Sequence, residues 1–278
     1  MLHTLKELFS YDFMIYALIV GSLISLCASL LGVSLVLKRF SMIGDGLSHV
    51  GFGTMAVAAV MGIAPLYLSI PVVVISAFLL LRLKDNGQIK GDAAIGLIST
   101  GALAIGVMVI STTSGMNIDI YNYMFGSILT MGISDVIISV ILSAFVLILF
   151  ILFYNSIFAV TFDESFSKAT GTNTELFNMI TAALTAVTIV VGMRIMGAML
   201  ISALLIIPPL SSMRINKSFK KVVTGSCIIS LLCFFTGVII SCLFETPTGA
   251  SVVCVNLAVF IILSFIRAAE RKSKKVND

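Results

Sequence analysis

An aspartate and a histidine stand four residues apart, at Asp45 and His49, within the stretch MIGDGLSHVGF that runs from Met42 to Phe52. Four residues is about one helical turn, so the two side chains share a helix face. Together they offer one carboxylate oxygen and one neutral imidazole nitrogen, ligand types that suit Zn²⁺ or Mn²⁺. Two ligands make at best half a site. Gly44, Gly46, Gly51 and Gly53 flank the pair and let another backbone, or a hydrated ion, approach closely. A second reading stays open on these residues alone: Asp45 as a helix cap and His49 as a hydrogen-bonding partner for a neighbouring helix.

Nothing else in the chain supports chemistry of its own. There is no G-x-x-x-x-G-K-[ST] phosphate loop, no H-E-x-x-H and no hydrolase triad pattern, so the chain is not read as an enzyme. The five cysteines, Cys27, Cys227, Cys233, Cys242 and Cys254, fall in apolar runs without a CxxC pair and read as small packing residues. The 14 methionines are spread through the same runs as core filler.

The elements that must position the pair follow from composition. Of 278 residues 59% are hydrophobic and only 11% charged, and the mean hydropathy is +1.16, which excludes an ordinary soluble domain. Apolar runs of roughly 20 residues, the length of a bilayer-crossing helix, recur throughout. The chain therefore reads as an all-α polytopic membrane bundle forming a single domain. A short N-terminal segment, 1–12, precedes nine candidate spans near 13–37, 46–63, 66–83, 93–112, 134–158, 176–193, 196–210, 222–244 and 250–267. A re-entrant segment would reduce the nine to eight. The first run is too long for a signal-peptide core and lacks a small-residue cleavage site, so it reads as a retained span.

Alternate crossing places every one of the 17 basic residues on one side except Lys6 and Arg194. The positive-inside rule makes that side cytoplasmic, with the N-terminus outside and the C-terminus inside. The basic segment 268–278 then reads as a cytoplasmic tail that meets anionic lipid, and nucleic-acid binding is not expected.

Two spans stand apart. Those near 46–63 and 196–210 are short for ~30 Å of hydrocarbon, one rich in glycine and the other carrying Pro208–Pro209. Broken helices are tolerated at membrane depth where they are buried in protein or line a wet cavity. Both open on a similar phrase, RFSMIGDGLSH and RIMGAMLISAL, and run in opposite directions, as an inverted repeat or chance similarity would have it. Ionisable groups within the membrane are costly and mark substrate paths or proton relays by default.

Six stretches, in order, resemble the permeases of the bacterial zinc/manganese ABC importer family: KRFSMIGDGLSHVGFG, GDAAIGLISTGALAIG, NIDIYNYMFGSIL, TFDESFSKATGTN, VVGMRIMGAMLISALLIIPP and TPTGASVV. The likeness covers nearly the whole chain beyond the first ten residues. It implies a shortened relative of the vitamin B12 and iron-siderophore importers, a type II ABC importer permease in the bacterial inner membrane. Two copies would rest on a pair of ATPase subunits, fed by an extracytoplasmic metal-binding protein. The cargo would be a divalent transition metal, zinc first, manganese or iron next, with no permanently bound cofactor. The family's signature aspartate and histidine match Asp45 and His49, which moves the pair from packing to metal path.

The same resemblance assigns TFDESFSKATGTN to the helix that couples to the ATPase. Phe162, Phe166 and Gly171 are its contact candidates, where the residues alone suggest a solvated loop. Asp119, in NIDIYNYMFG on the extracytoplasmic side, is an entry candidate for cations or the cap of a re-entrant turn. Asp92 opens its span as a helix N-terminal acid. A transporter driven by an ion gradient is the rival from another class, and it would need no ATPase.

Overall fold

In the computed structural model, the described residues are 12–85, 91–112 and 132–277, and they are helical almost throughout. The helices are α1 (Asp12–Leu37), α2 (Ser41–Val60), α3 (Pro65–Asp85), α4 (Gly91–Thr112), α5 (Ile133–Leu152) and α6 (Tyr154–Phe162). They continue with α7 (Glu164–Ala169), α8 (Thr174–Met196), α9 (Ala198–Ile215), α10 (Phe219–Phe244) and α11 (Thr248–Asn277). Backbone polar groups cannot go unpaired in hydrocarbon, and a helix satisfies them within its own segment. Among the described residues eight helices are long and apolar enough to cross a membrane: α1, α3, α4, α5 and α8 to α11. The ninth long helix is α2, at 20 residues about 30 Å long. Asp45, His49 and its glycines lower its hydropathy, and it lies inside the bundle with most of its faces covered by neighbouring helices.

The spans predicted from sequence correspond to these nine helices, with four differences. Helix α2 starts at Ser41, and its N-cap is Phe40 with no side-chain cap bond, so Asp45 sits in the second turn and is not a cap. Neither α2 nor α9 is broken, and α9 runs unbroken through Pro208 and Pro209. Each proline removes an N–H that would have bonded the carbonyl four residues back, which leaves the Leu204 and Leu205 carbonyls without that partner. Gly32 of α1 lies against the Leu205 carbonyl, where a Cβ would overlap it.

The run at 134–158 is two helices, divided at Phe153 (φ −96°, ψ 12°), which caps both. Finally, α11 continues as helix beyond the predicted span and through the basic segment to Asn277. The N-terminal segment before Asp12 lies outside the described residues.

The centre of the bundle is α1, α2, α8 and α9. Two thirds of the α1 span is buried inside the chain, against 11% for α4. The outer helices turn large apolar side chains outward, Leu97, Met108, Ile141, Ile151 and Phe265 among them. A bilayer accepts such faces, whereas water would not.

Side-chain contacts fix the direction of each helix relative to its neighbours. Ser230 donates to the Ser25 carbonyl (3.1 Å) and Ser226 to the Ser29 carbonyl (3.3 Å), so α1 and α10 are antiparallel. Gly46 faces Ile95 and Gly53 faces Ala102, so α2 and α4 are parallel. Ser48 meets Ser202 and Gly44 meets Leu205, so α2 and α9 are antiparallel. These are the directions that nine alternating crossings require.

Candidate metal-path site

Helix α2 is held on several sides by its glycines. Gly44 packs on Leu205 of α9, Gly46 on Ile95 of α4, Gly51 on Met193 of α8 and Gly53 on the Ala102 carbonyl of α4. The closest approach is at Gly53, where a Cβ added to Gly106 would come within 2.8 Å of the Gly53 Cα. Backbones this near leave no room for a larger residue on either helix. Leu47, Ser48, Val50 and Phe52 are buried by the same packing. Ser48 donates to the Asp45 carbonyl (2.7 Å) and accepts from Ser202 (3.3 Å), a polar tie between α2 and α9 directly behind the pair.

One strip of α2 stays open, and it carries Asp45 and His49. His49 Nε2 lies 3.7 Å from Asp45 Oδ2, with the two side chains 28% and 46% exposed. The structure therefore places side by side the two ligand candidates that the sequence pairs. Among the described residues no group of three or more His, Cys, Asp or Glu side chains could hold a metal ion. A full ligand set needs atoms beyond this pair. Asp119, the entry candidate, lies outside the described residues. Asp92 is in the first turn of α4 and exposed, where its charge complements the helix dipole.

At the basic end of the bundle, α7 is a single short helix with both ends tied. Asp163 caps it by accepting from the Phe166 N–H (2.9 Å), and Asn173 caps α8 by accepting from the Leu176 N–H (3.1 Å). Gly171 closes α7. Its φ is +87°, its N–H bonds the Lys168 carbonyl (3.2 Å), and the Thr172 N–H bonds the Ser167 carbonyl (3.0 Å). Those two bonds make a Schellman closure, which favours glycine at its left-handed position. Phe162 and Phe166 are 74% and 66% exposed. The ring of Phe162 leans on Phe158, which in turn packs on Phe219 at the start of α10 (centroids 5.8 and 4.8 Å).

Sequence reasoning missed two polar clusters. Arg194, an outlier in the charge count, has its Nη2 3.3 Å from Asp135 Oδ2. Asp135 opens α5 and Arg194 closes α8, so alternate crossing already puts them at the same end of the bundle. The second cluster joins Lys38, Asn178 and Glu164. Only the three-dimensional path of the chain brings these residues together.

Eight membrane-length helices around an inner helix that carries an ionisable pair define a polytopic helical membrane protein. The chain belongs to the ABC 3 transport family, whose profile matches residues 10–267. It is 29% identical to the high-affinity zinc uptake system membrane protein ZnuB of Haemophilus influenzae, over 92% of this chain and 98% of that one. It is 25% identical to the manganese transport system membrane protein MntC of Halalkalibacterium halodurans, over 93% of this chain and 89% of that one. Among solved structures it is similar to PsaBC from Streptococcus pneumoniae in complex with Fab, with a TM-score of 0.84 and 26% identity over 94% of each chain.

Proposed function

We propose that this permease of a metal ABC importer carries Zn²⁺ inward past Asp45 and His49, with Mn²⁺ and Fe²⁺ as the next candidates. The observation that carries the reading is the open strip on α2, where a carboxylate and an imidazole 3.7 Å apart are both partly exposed on a helix whose other faces are largely packed. Two ligands per chain are half of a tetrahedral set. A second copy related by two-fold symmetry would supply the other half, for two oxygens and two nitrogens in all. Borderline metals accept that mixture, and geometry then selects among them.

Membership of the family supports a larger assembly, which we read as follows. A pair of ATPase subunits docks against α7, with Phe162 and Phe166 as apolar anchors and Gly171 holding the helix end. An extracytoplasmic metal-binding protein delivers the ion at the opposite end, where Asp119 helps admit it. The complex sits in the bacterial inner membrane with the C-terminus of α11 in the cytoplasm.

The test is metal uptake by cells expressing His49→Ala or Asp45→Ala. Losing a direct ligand should cost at least the ~10–100-fold in metal affinity that losing a supporting hydrogen bond costs. Uptake should fall accordingly, with the ATPase still co-purifying. Normal uptake by both variants would make the pair structural and remove it from the path.

A further inference from the structure

Lys38, Asn178 and Glu164 form a closed ring at the basic end of the bundle. Lys38 Nζ donates to Asn178 Oδ1 and lies 3.8 Å from Glu164 Oε2. Asn178 Nδ2 donates to Glu164 Oε1 at 2.8 Å. Three elements meet here: the C-cap of α1, the first turns of α8 and the first residue of α7. The Lys38 side chain is 12% exposed and that of Glu164 53%, so the lysine end of the contact is shielded while the carboxylate end meets solvent.

The backbone beside Lys38 makes the ring more than a local brace. Arg39 takes a left-handed φ of 60°, a conformation that costs energy in any residue with a Cβ. The Arg39 N–H bonds the Val36 carbonyl (3.1 Å) and the Phe40 N–H bonds the Leu35 carbonyl (2.7 Å), which closes α1 in a Schellman motif built on arginine. The next residue, Ser41, begins α2. Phe40 and Ile43 border a small cavity together with Lys38 and Asn178, so both sides of the turn lie against the ring. With so stiff a turn, a displacement of the Lys38 side chain moves the start of α2, and Asp45 is one turn further along.

We propose that Lys38, held by Glu164 and Asn178, is the positioning residue that links movement of α7 to movement of the α2 helix bearing Asp45 and His49. The inference rests on the reading of α7 as the ATPase-facing helix. A push on α7 reaches Lys38 through the Glu164 carboxylate, and the α1–α2 turn hands it to the metal-path helix without passing through the bulk of the bundle. The link runs in both directions, because Asn178 is hydrogen-bonded to both charged groups and the lysine and the carboxylate face each other as an ion pair at 3.8 Å.

The test uses the whole complex, permease with its ATPase subunits and metal-loaded binding protein, reconstituted in liposomes and assayed separately with Zn²⁺ and Mn²⁺. ATP hydrolysis and metal accumulation are measured on the same preparation. Lys38→Met should retain the ATPase subunits and hydrolyse ATP at near the parent rate. The metal moved per ATP should fall roughly fivefold or more, the scale at which network residues alter coupling.

Lys38→Arg should keep the parent ratio. The exchanged pair Lys38→Glu with Glu164→Lys should recover most of it, because the Asn178 amide can flip and serve the swapped charges equally well. A parent ratio in Lys38→Met would overturn the proposal. So would a parallel loss of subunits, hydrolysis and uptake that Lys38→Arg fails to prevent, since that is the mark of mere structural support. A parent complex that retains no ATPase, or moves neither metal, would instead refute the underlying functional reading before any variant is made.

Discussion

At the scale of single residues, the open question in the sequence is whether Asp45 caps a helix or faces a path. The start of α2 at Ser41 answers the first half: Phe40 stands at the cap position, and Asp45 is a full turn inside. A carboxylate there has no backbone N–H to satisfy, and its near neighbour is an imidazole. An imidazole binds a metal through a free nitrogen lone pair, which an asparagine amide does not offer. A His49→Asn variant should therefore lose most metal uptake while the complex stays assembled, and parent-level uptake would leave His49 a packing residue.

At the scale of elements, two helices carry the functional argument and each has a distinct weak point. In α2 it is the crossing with α4, where Gly53 and Gly106 bring the backbones together. Gly53→Leu must push Ala102 aside, and overpacking of this kind costs roughly 1–3 kcal/mol. The expected outcome is a complex that assembles in lower yield with a lower unfolding temperature, read by thermal aggregation in detergent. In α7 the weak point is its exposed aromatics. Phe166→Ala should cut ATPase retention sharply, since a central aromatic anchor is worth on the order of 2 kcal/mol or more, and co-purification yield measures it. Full retention with coupled transport would clear α7 of the docking role.

Most of these elements were legible because a bilayer demands long apolar runs, and such runs leave a plain trace. What was not legible has local physical causes. The start of α2 was missed because Ser41 to Asp45 lowers the apolar signal while still forming helix. The division at Phe153 was missed because the apolar run continues through it, and a kink leaves no compositional mark. Pro208–Pro209 read as a break because proline removes donors; the helix tolerates the loss, with Gly32 packed against the Leu205 carbonyl. Asp45 and His49 were paired correctly by helical period alone. The Lys38 ring and the Asp135–Arg194 pair span 140 and 59 residues of sequence, beyond the reach of any local pattern.

At the scale of the whole molecule, the contacts divide the bundle into two ends. One gathers the Lys38 ring, α7 and the Arg267 guanidinium, which donates to the Arg214 carbonyl; the other gathers the turn at Glu245 and the Asp135–Arg194 pair. Arginine on a translocated side runs against the positive-inside rule, yet Arg194 faces a carboxylate at 3.3 Å that offsets its charge. The exception is thereby accounted for, and the remaining basic residues among the described ones lie at the α7 end. That end should be cytoplasmic.

The orientation can be read with a membrane-impermeant maleimide on intact cells, in a background whose five native cysteines are replaced by serine. Glu245 and Lys217 occupy exposed positions at opposite ends of α10. A cysteine in place of Glu245 should react at once, and one in place of Lys217 only after the cells are permeabilised. The reverse pattern would invert the whole molecule, put α7 outside, and make docking of a cytoplasmic ATPase there impossible.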